Sequence, residues 1–392
     1  MAKKIYKLTV EPISCVHIGN GKELTPLDYT VRTTKNGKPL YIKFSSDRML
    51  QRLAKDTQKM AAFERASVGG NMKELLSFFQ QNCKPMDDLD YPCGVTKEFF
   101  ALYEKNKAKD PYENAAIVQQ MYRPAGQKAP VIPGSSLKGA VRTAILNQLM
   151  SDLSDKDYNA LSDGFDNCRD DRQKARFEPN IQKELLHGYK DAKADPFRGI
   201  ELADCMFDAK DTQIVGVLRN ISVRKADGEL DTTNSMQIQA EAIKGKLMDS
   251  YGSGTSVLRI NEDLHSARSA RGVAVSMALG LSDIVSSCNY FYWREFEAEY
   301  EKFYKRSVSS CDLIAKLKNE LEAVSSENKN SFIIRVGHWS QVEFVTFEEN
   351  FRAPKTREIK GKKLGFGGTR TVFNYDGQYL PLGWCKCTVE PM

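Results

Sequence analysis

The sequence has no run approaching the roughly 18 consecutive apolar residues of a membrane span. Its first residues, MAKKIYKLTV, lack the apolar core of a signal peptide. The chain therefore reads as cytoplasmic. Histidine is scarce, with four residues (His17, His187, His265, His338) scattered along the chain. None of the nine cysteines falls in a Cys-x-x-Cys pair, which argues against a zinc site. The cysteines also lack a repeated spacing, so reduced thiols are expected rather than a disulfide framework. Neither sign of charge is in large excess. A net charge of +6 permits an anionic partner without demanding one. An aspartate-rich stretch from Asp152 to Asp171 lies in a polar, weakly periodic segment and reads as a solvated surface, not a cation site. No metal and no cofactor is assigned.

The most informative stretch that is present is Ile132 to Met150, IPGSSLKGAVRTAILNQLM. Pro133 and Gly134 read as a turn, and Ser135 or Ser136 as a helix cap. Leu137, Val141, Ala144 and Ile145 then repeat at helical spacing. Lys138 and Arg142 lie one turn apart on the polar side. The small residues Gly134, Ser135, Ser136 and Gly139 let backbone amides approach an anion at the positive end of a helix. A nucleotide P-loop is disfavoured, because Ala140 and Val141 stand where Lys and Ser/Thr would be needed. A capped core helix with a small-residue turn is the competing reading. A second patch runs from Arg352 to Arg370, where seven of 19 residues are basic and Gly361, Gly365, Gly367 and Gly368 interrupt them. Flexible backbone beside cations suits a phosphate chain.

I-P-G-S-S-L-K-G-A-x-R-x-A resembles the signature of the RAMP proteins, RNA-binding subunits of CRISPR effector complexes. Val16 to Tyr29 (VHIGNGKELTPLDY), Lys363 to Phe373 (KLGFGGTRTVF) and Pro381 to Lys386 (PLGWCK) narrow the resemblance. In this order and spacing they look like the family of fifth Csm subunits of type III-A complexes. The resemblance implies a non-catalytic subunit of a ribonucleoprotein of antiviral defence. Such a subunit caps the filament near the 3′ part of the CRISPR RNA. It contributes to guide maturation or target RNA binding, and contacts the adjacent Csm backbone subunit. It also implies that the loop of His17, Gly19 and Gly21 borders the RNA, and that a hairpin near Arg219, Arg224 and Lys225 projects toward it. With the two patches above, the candidate RNA-binding residues are these, Gly134, Ser135, Ser136, Lys138, Arg142, Lys362, Lys363, Gly365, Gly367, Gly368 and Arg370. The bland alternative for His17 is a residue that packs and fixes its loop.

The elements expected along the chain are mixed. Strands are expected at Lys4 to Val10, at Leu27 to Thr33 and at Pro39 to Phe44, the last two around the turn Lys35-Asn36-Gly37-Lys38. Residues 46–125 read as a helical insertion and residues 151–199 as a second one. Strands recur from 200 to 260, and helices dominate from 267 to 325. The aromatic run Tyr290 to Trp293 reads as core. The expected class is α+β, an RRM-like, ferredoxin-like RAMP core over residues 1–260 and a C-terminal lobe of helices and strands over 261–392. Two other functions compete with this reading. One is a metal-independent RAMP-type endoribonuclease with His17 as base and Lys138 stabilising developing charge. The other is a protein scaffold with no RNA affinity.

Overall fold

The computed structural model describes residues 3–189, 191–223, 229–233, 235–248, 251–265, 274–305, 311–327, 329–347, 351, 357–359, 362–364, 368–375 and 377–392. The chain opens with four strands, β1 (Lys4–Pro12), β2 (Gly19–Leu24), β3 (Tyr29–Thr33) and β4 (Pro39–Phe44). The last two form the expected hairpin. Gly37 takes the left-handed region at φ 74°, and its amide donates to the Thr34 carbonyl. Helices α1 (Ser46–Leu53), α2 (Thr57–Val68), α3 (Met72–Asn82) and α4 (Pro85–Asp88) follow. Then come β5 (Leu89–Val95), α5 (Lys97–Asn106), β6 (Val118–Met121), β7 (Val131–Ile132) and the long helix α6 (Gly134–Ser151). Helices α7 (Asp155–Asp166) and α8 (Asp171–Leu185) precede β8 (Ile200–Leu202), β9 (Cys205–Met206), β10 (Thr212–Val223), β11 (Leu230–Asp231), β12 (Met236–Ile243) and β13 (Gly254–Ile260). The remainder holds α9 (Leu281–Glu299), α10 (Cys311–Glu327), β14 (Ser331–Arg335), β15 (Arg357–Ile359), β16 (Lys362–Leu364), β17 (Arg370–Tyr375), β18 (Gln378–Pro381) and β19 (Trp384–Pro391).

The fold is α+β. One sheet runs β14-β19-β1-β13-β9-β7, with β8 also on β13. The other runs β2-β6-β12-β10-β5-β4-β3, with β11 and β17 on β10 and β18 on β17. Helix α6 buries Leu137, Val141, Ala144 and Ile145 in the main core, where α9 contributes Cys288, Phe291 and Tyr292. Leu137, Val141 and Ile145 each contribute about 1.5–3 kcal/mol when fully buried. The Tyr292 hydroxyl donates to the Ala140 carbonyl at 3.1 Å, which pins the two helices in register. Of the aromatic run on α9, Phe291 and Tyr292 are thus core, whereas Trp293 is only partly buried and Tyr290 is exposed, so the expectation that the whole run is core holds for half of it.

Two organisational expectations change. Residues 46–125 are not a purely helical insertion, because β5 and β6 are strands of the larger sheet. Pro92 and Gly94 made β5 read as turn, although it pairs with β4 across five residues. Nor does a boundary near residue 260 separate two lobes. β19 pairs with β1 from Pro12 to Tyr6, and β17 pairs with β10, so the C-terminal strands complete both sheets.

Candidate nucleic-acid interface

The start of α6 is built differently from the sequence expectation. Pro133 is the N-cap residue, and neither Ser135 nor Ser136 caps the helix. The Gly134 amide donates instead to the Asp204 carboxylate at 2.8 Å. A Cβ on Gly134 would stand 2.1 Å from the Leu202 carbonyl oxygen, so this glycine serves the close packing of α6 on the β8–β9 turn. The positive end of the helix already carries a carboxylate, which opposes binding of a second anion there. Arg142 is likewise committed. Its guanidinium pairs with Asp195 at 2.9 Å and lies 4.6 Å over the Phe197 ring. Lys138 is half-buried, and burial lowers its pKa in spite of the nearby Asp195.

One face of α6 does remain open. Ser136, Gly139 and Thr143 line a cleft of about 510 Å³, whose other walls are Gly19 and the 335–345 segment. A second cleft of about 450 Å³ is lined by Gly19, Gly21, Lys22, Glu23, Gln119, Gln120 and His338, with His17 at its base. Gly19 and His338 belong to both, so the two adjoin. Beneath the second lies a buried ion pair between Arg123 and Glu241, with the Arg123 guanidinium 3.7 Å from the Tyr91 ring centroid.

His17 holds the junction together from below. It is buried, its Nδ1 lies 2.6 Å from the Glu241 carbonyl oxygen, and its ring stacks on Trp339 at 5.0 Å. Burial pulls its pKa down to about 4, so the imidazole is neutral at pH 7 and its Nδ1–H donates to that carbonyl. The His17 carbonyl accepts from the His338 amide at 2.8 Å, and a Cβ on Gly337 would meet that same carbonyl oxygen at 2.6 Å. His17 therefore fixes two loops by packing. The bland sequence reading describes it, and a general base working with Lys138 does not.

Arg219 lies at the end of the regular part of β10. A bulge follows, with Asn220 at φ 63°, and this breaks the register between β10 and β17. Arg219 is close enough to His338 to help burial lower the pKa of that imidazole. It has no acidic partner among the described residues. Arg370 is the reverse case and corrects the sequence reading. It is buried, pairs with Glu299 at 2.8 Å and Glu343 at 3.0 Å, and lies 3.9 Å over the Phe303 ring. No such side chain is free to meet RNA. Gly368 is exposed. Lys362 and Lys363 are described only as backbone in the β15–β16 ribbon. Arg224, Lys225, Gly365 and Gly367 lie outside the described residues.

The expected common surface of the Gly134–Gly139 and Lys360–Arg370 segments is described only at its ends. Gly139 borders the 335–345 segment through the cleft, and Arg370 reaches it through Glu343. Sequence reasoning passed over that segment. Gly337, Trp339 and Gln341 all have positive φ (98°, 66° and 68°), and His338 is exposed between them. A glycine beside adjacent His and Trp was the available signal, but it has no period to read.

The pattern of the RAMP superfamily matches residues 9–221. A CRISPR system protein, Csm5 of Streptococcus thermophilus, is 28% identical over 151 residues, which are 37% of this chain and 38% of that protein. The chain thus spans under two fifths of the length of that curated relative. A chain of a cryo-electron-microscopy Csm-crRNA-target RNA ternary complex of a type III-A CRISPR-Cas system superposes with a TM-score of 0.64 at 16% identity, covering 98% of this chain and 100% of that one. The crystal structure of Csm5 from T. onnurineus superposes with a TM-score of 0.54 at 16% identity, covering 96% and 99%. These likenesses concern the fold. The family match takes in more than half of the sequence, including the end of β1, the His17 loop, α6 and most of β10, and on that extent the chain belongs to the RAMP superfamily.

Proposed function

We propose that this chain is a non-catalytic RNA-binding subunit of a type III-A CRISPR effector complex, capping the filament near the 3′ part of the CRISPR RNA. One observation carries the reading: two adjoining clefts share Gly19 and His338, and Arg219, a cation with no acidic partner among the described residues, acts electrostatically on His338 at their border. Open glycine backbone and an uncommitted cation are what a single RNA strand requires, since amides and small residues admit the backbone while the cation neutralises phosphate. The likeness to a chain from a complex holding crRNA and target RNA supports those two RNAs as partners, with neighbouring Csm subunits. The loss of His17 as a plausible base supports the non-catalytic side.

Filter binding of a CRISPR RNA to the full chain and to the reconstituted complex, across a salt series, tests this. Arg219→Ala is expected to weaken binding about 3- to 10-fold and to reduce the salt slope by roughly 0.7, the loss of one phosphate contact on a single strand. Arg142→Ala is expected to leave the slope unchanged and to cost stability instead, because Asp195 already takes its charge. An unchanged slope in Arg219→Ala, or no RNA binding by the wild-type complex, would overturn the reading.

A further inference from the structure

We infer that the cleft between α6 and the 335–345 segment takes one nucleobase turned out of the RNA strand, lying against Gly139, with its flanking phosphate held at the mouth by Arg219. This deepens the RNA-binding reading above and rests on it.

Gly139 is the first observation. It lies inside a long helix, is exposed, and an added Cβ there would meet nothing within 4 Å. A glycine in a helix interior costs about 0.5–1 kcal/mol relative to alanine, and no packing in this fold offsets it. Gly134, five residues earlier, is explained by a backbone it touches. Gly139 faces only the cleft. A missing side chain there leaves bare helix backbone for a flat ligand to approach.

The chemistry of the walls is the second. Ala140, Phe344 and Val345 are apolar, while Ser136, Thr143 and Ser340 carry hydroxyls, of which those of Thr143 and Ser340 donate to the Gly139 and Gly337 carbonyls and keep only their acceptor side. A nucleobase has apolar faces and a polar edge, and a cavity of this size is in the range that holds a small planar ligand. Phosphate fits the interior poorly. Among the described lining residues the one charged side chain is Arg335, whose charge is met by Glu299 at 2.9 Å. Arg335 also donates to the Leu382 carbonyl at 2.9 Å and lies 4.4 Å from the Phe344 ring centroid; its Nη2 has no hydrogen-bond partner among the described residues and remains a donor. Arg219, which has no acidic partner among the described residues, is not part of the lining and acts electrostatically on His338 at its border. Base inside and phosphate at the mouth is the arrangement that matches charge to charge.

The third is strain. Trp339 and Gln341 adopt positive φ, a conformation that costs a bulky or branched side chain on the order of 1–3 kcal/mol each. Packing on His17 holds that shape, and its consequence is the exposed His338 where the two clefts meet. Its neutral imidazole suits stacking on a base better than pairing with a phosphate.

The test is an abasic scan of the CRISPR RNA in the reconstituted complex, where the other subunits fix the register. In wild type, one position is expected to lose roughly 10-fold in the affinity of this subunit when its base is removed. Gly139→Leu, which fills the cleft, is expected to abolish that loss while binding the other abasic RNAs with the wild-type pattern. Should Gly139→Leu misfold, Val345→Glu closes the same cleft from an exposed position on the opposite wall. RNA bound normally, with no abasic position distinguishing wild type from either variant, overturns the nucleobase site and leaves the RNA-binding reading intact. Failure of the wild-type complex to bind RNA overturns both.

Discussion

Replacing Arg370 by methionine separates a structural arginine from an RNA-binding one. The guanidinium is 4% exposed and bridges Glu299, itself 1% exposed, and Glu343. Glu299 also holds Arg335, at 2.9 Å. Two guanidinium groups therefore face two carboxylates in a region closed to water. Removing one cation leaves both carboxylates around Arg335 alone. Breaking a buried pair from one side costs about 3–5 kcal/mol, because the remaining charge is desolvated and uncompensated. The contact with Phe303 adds about 0.5–2 kcal/mol. An exposed phosphate-binding arginine would instead cost within about 0.5 kcal/mol of stability. The assay is urea unfolding of the full chain followed by tryptophan fluorescence, which Trp384 reports from the same buried region, 5.3 Å from the Arg335 guanidinium. Arg370→Met is expected to lower the midpoint by the equivalent of several kcal/mol. Adding Glu343→Gln restores equal numbers of the two charges and is expected to recover part of the loss. A loss under about 1 kcal/mol, together with weakened RNA binding, would refute the buried network and return Arg370 to the RNA surface.

Other perturbations have equally definite outcomes. The folded pKa of His17, about 4, lies below its ordinary value of 6.5. The unfolded chain therefore binds a proton more readily, so the stability from this residue is full above pH 6.5 and is lost as pH falls toward 4. About 2 kcal/mol should be lost between pH 7 and pH 5 in wild type, and chemical denaturation of His17→Gln should show a flatter profile over that interval. Equal profiles would mean that His17 is not buried neutral. The two glycines of α6 should respond with opposite signs. Gly139→Ala is expected to raise stability by about 0.5–1 kcal/mol, whereas Gly134→Ala should lower it by about 1–3 kcal/mol through the clash with the Leu202 carbonyl. Thermal melts of the two variants would settle the contrast, and a stabilised Gly134→Ala would contradict the packing described.

What could be read from the sequence was whatever has a local cause. The β3–β4 hairpin followed from Asn36-Gly37, since only a residue tolerant of positive φ closes that turn. The apolar stripe of α6 followed from spacing, and so did the burial of Phe291 and Tyr292 on α9. Partners distant in the chain could not be read. Asp204 replaces the serine cap, Asp195 takes Arg142, and Glu299 and Glu343 take Arg370, across 70, 53, 71 and 27 residues respectively. A basic residue in a glycine-rich stretch looks the same in sequence whether its acidic partner arrives or not. The motif IPGSSLKG shows where this matters most. As a string, its two glycines suggest one anion-binding device at the start of a helix. In the fold they part company: Gly134 is closed by backbone and its amide is spent on a carboxylate, while Gly139 stands open one turn further on. The helix N-terminus is thus the part of the motif least able to bind RNA. Any contact that α6 makes must come from its side, where Ser136, Gly139 and Thr143 face the cleft opposite a segment, 335–345, that no sequence pattern singled out.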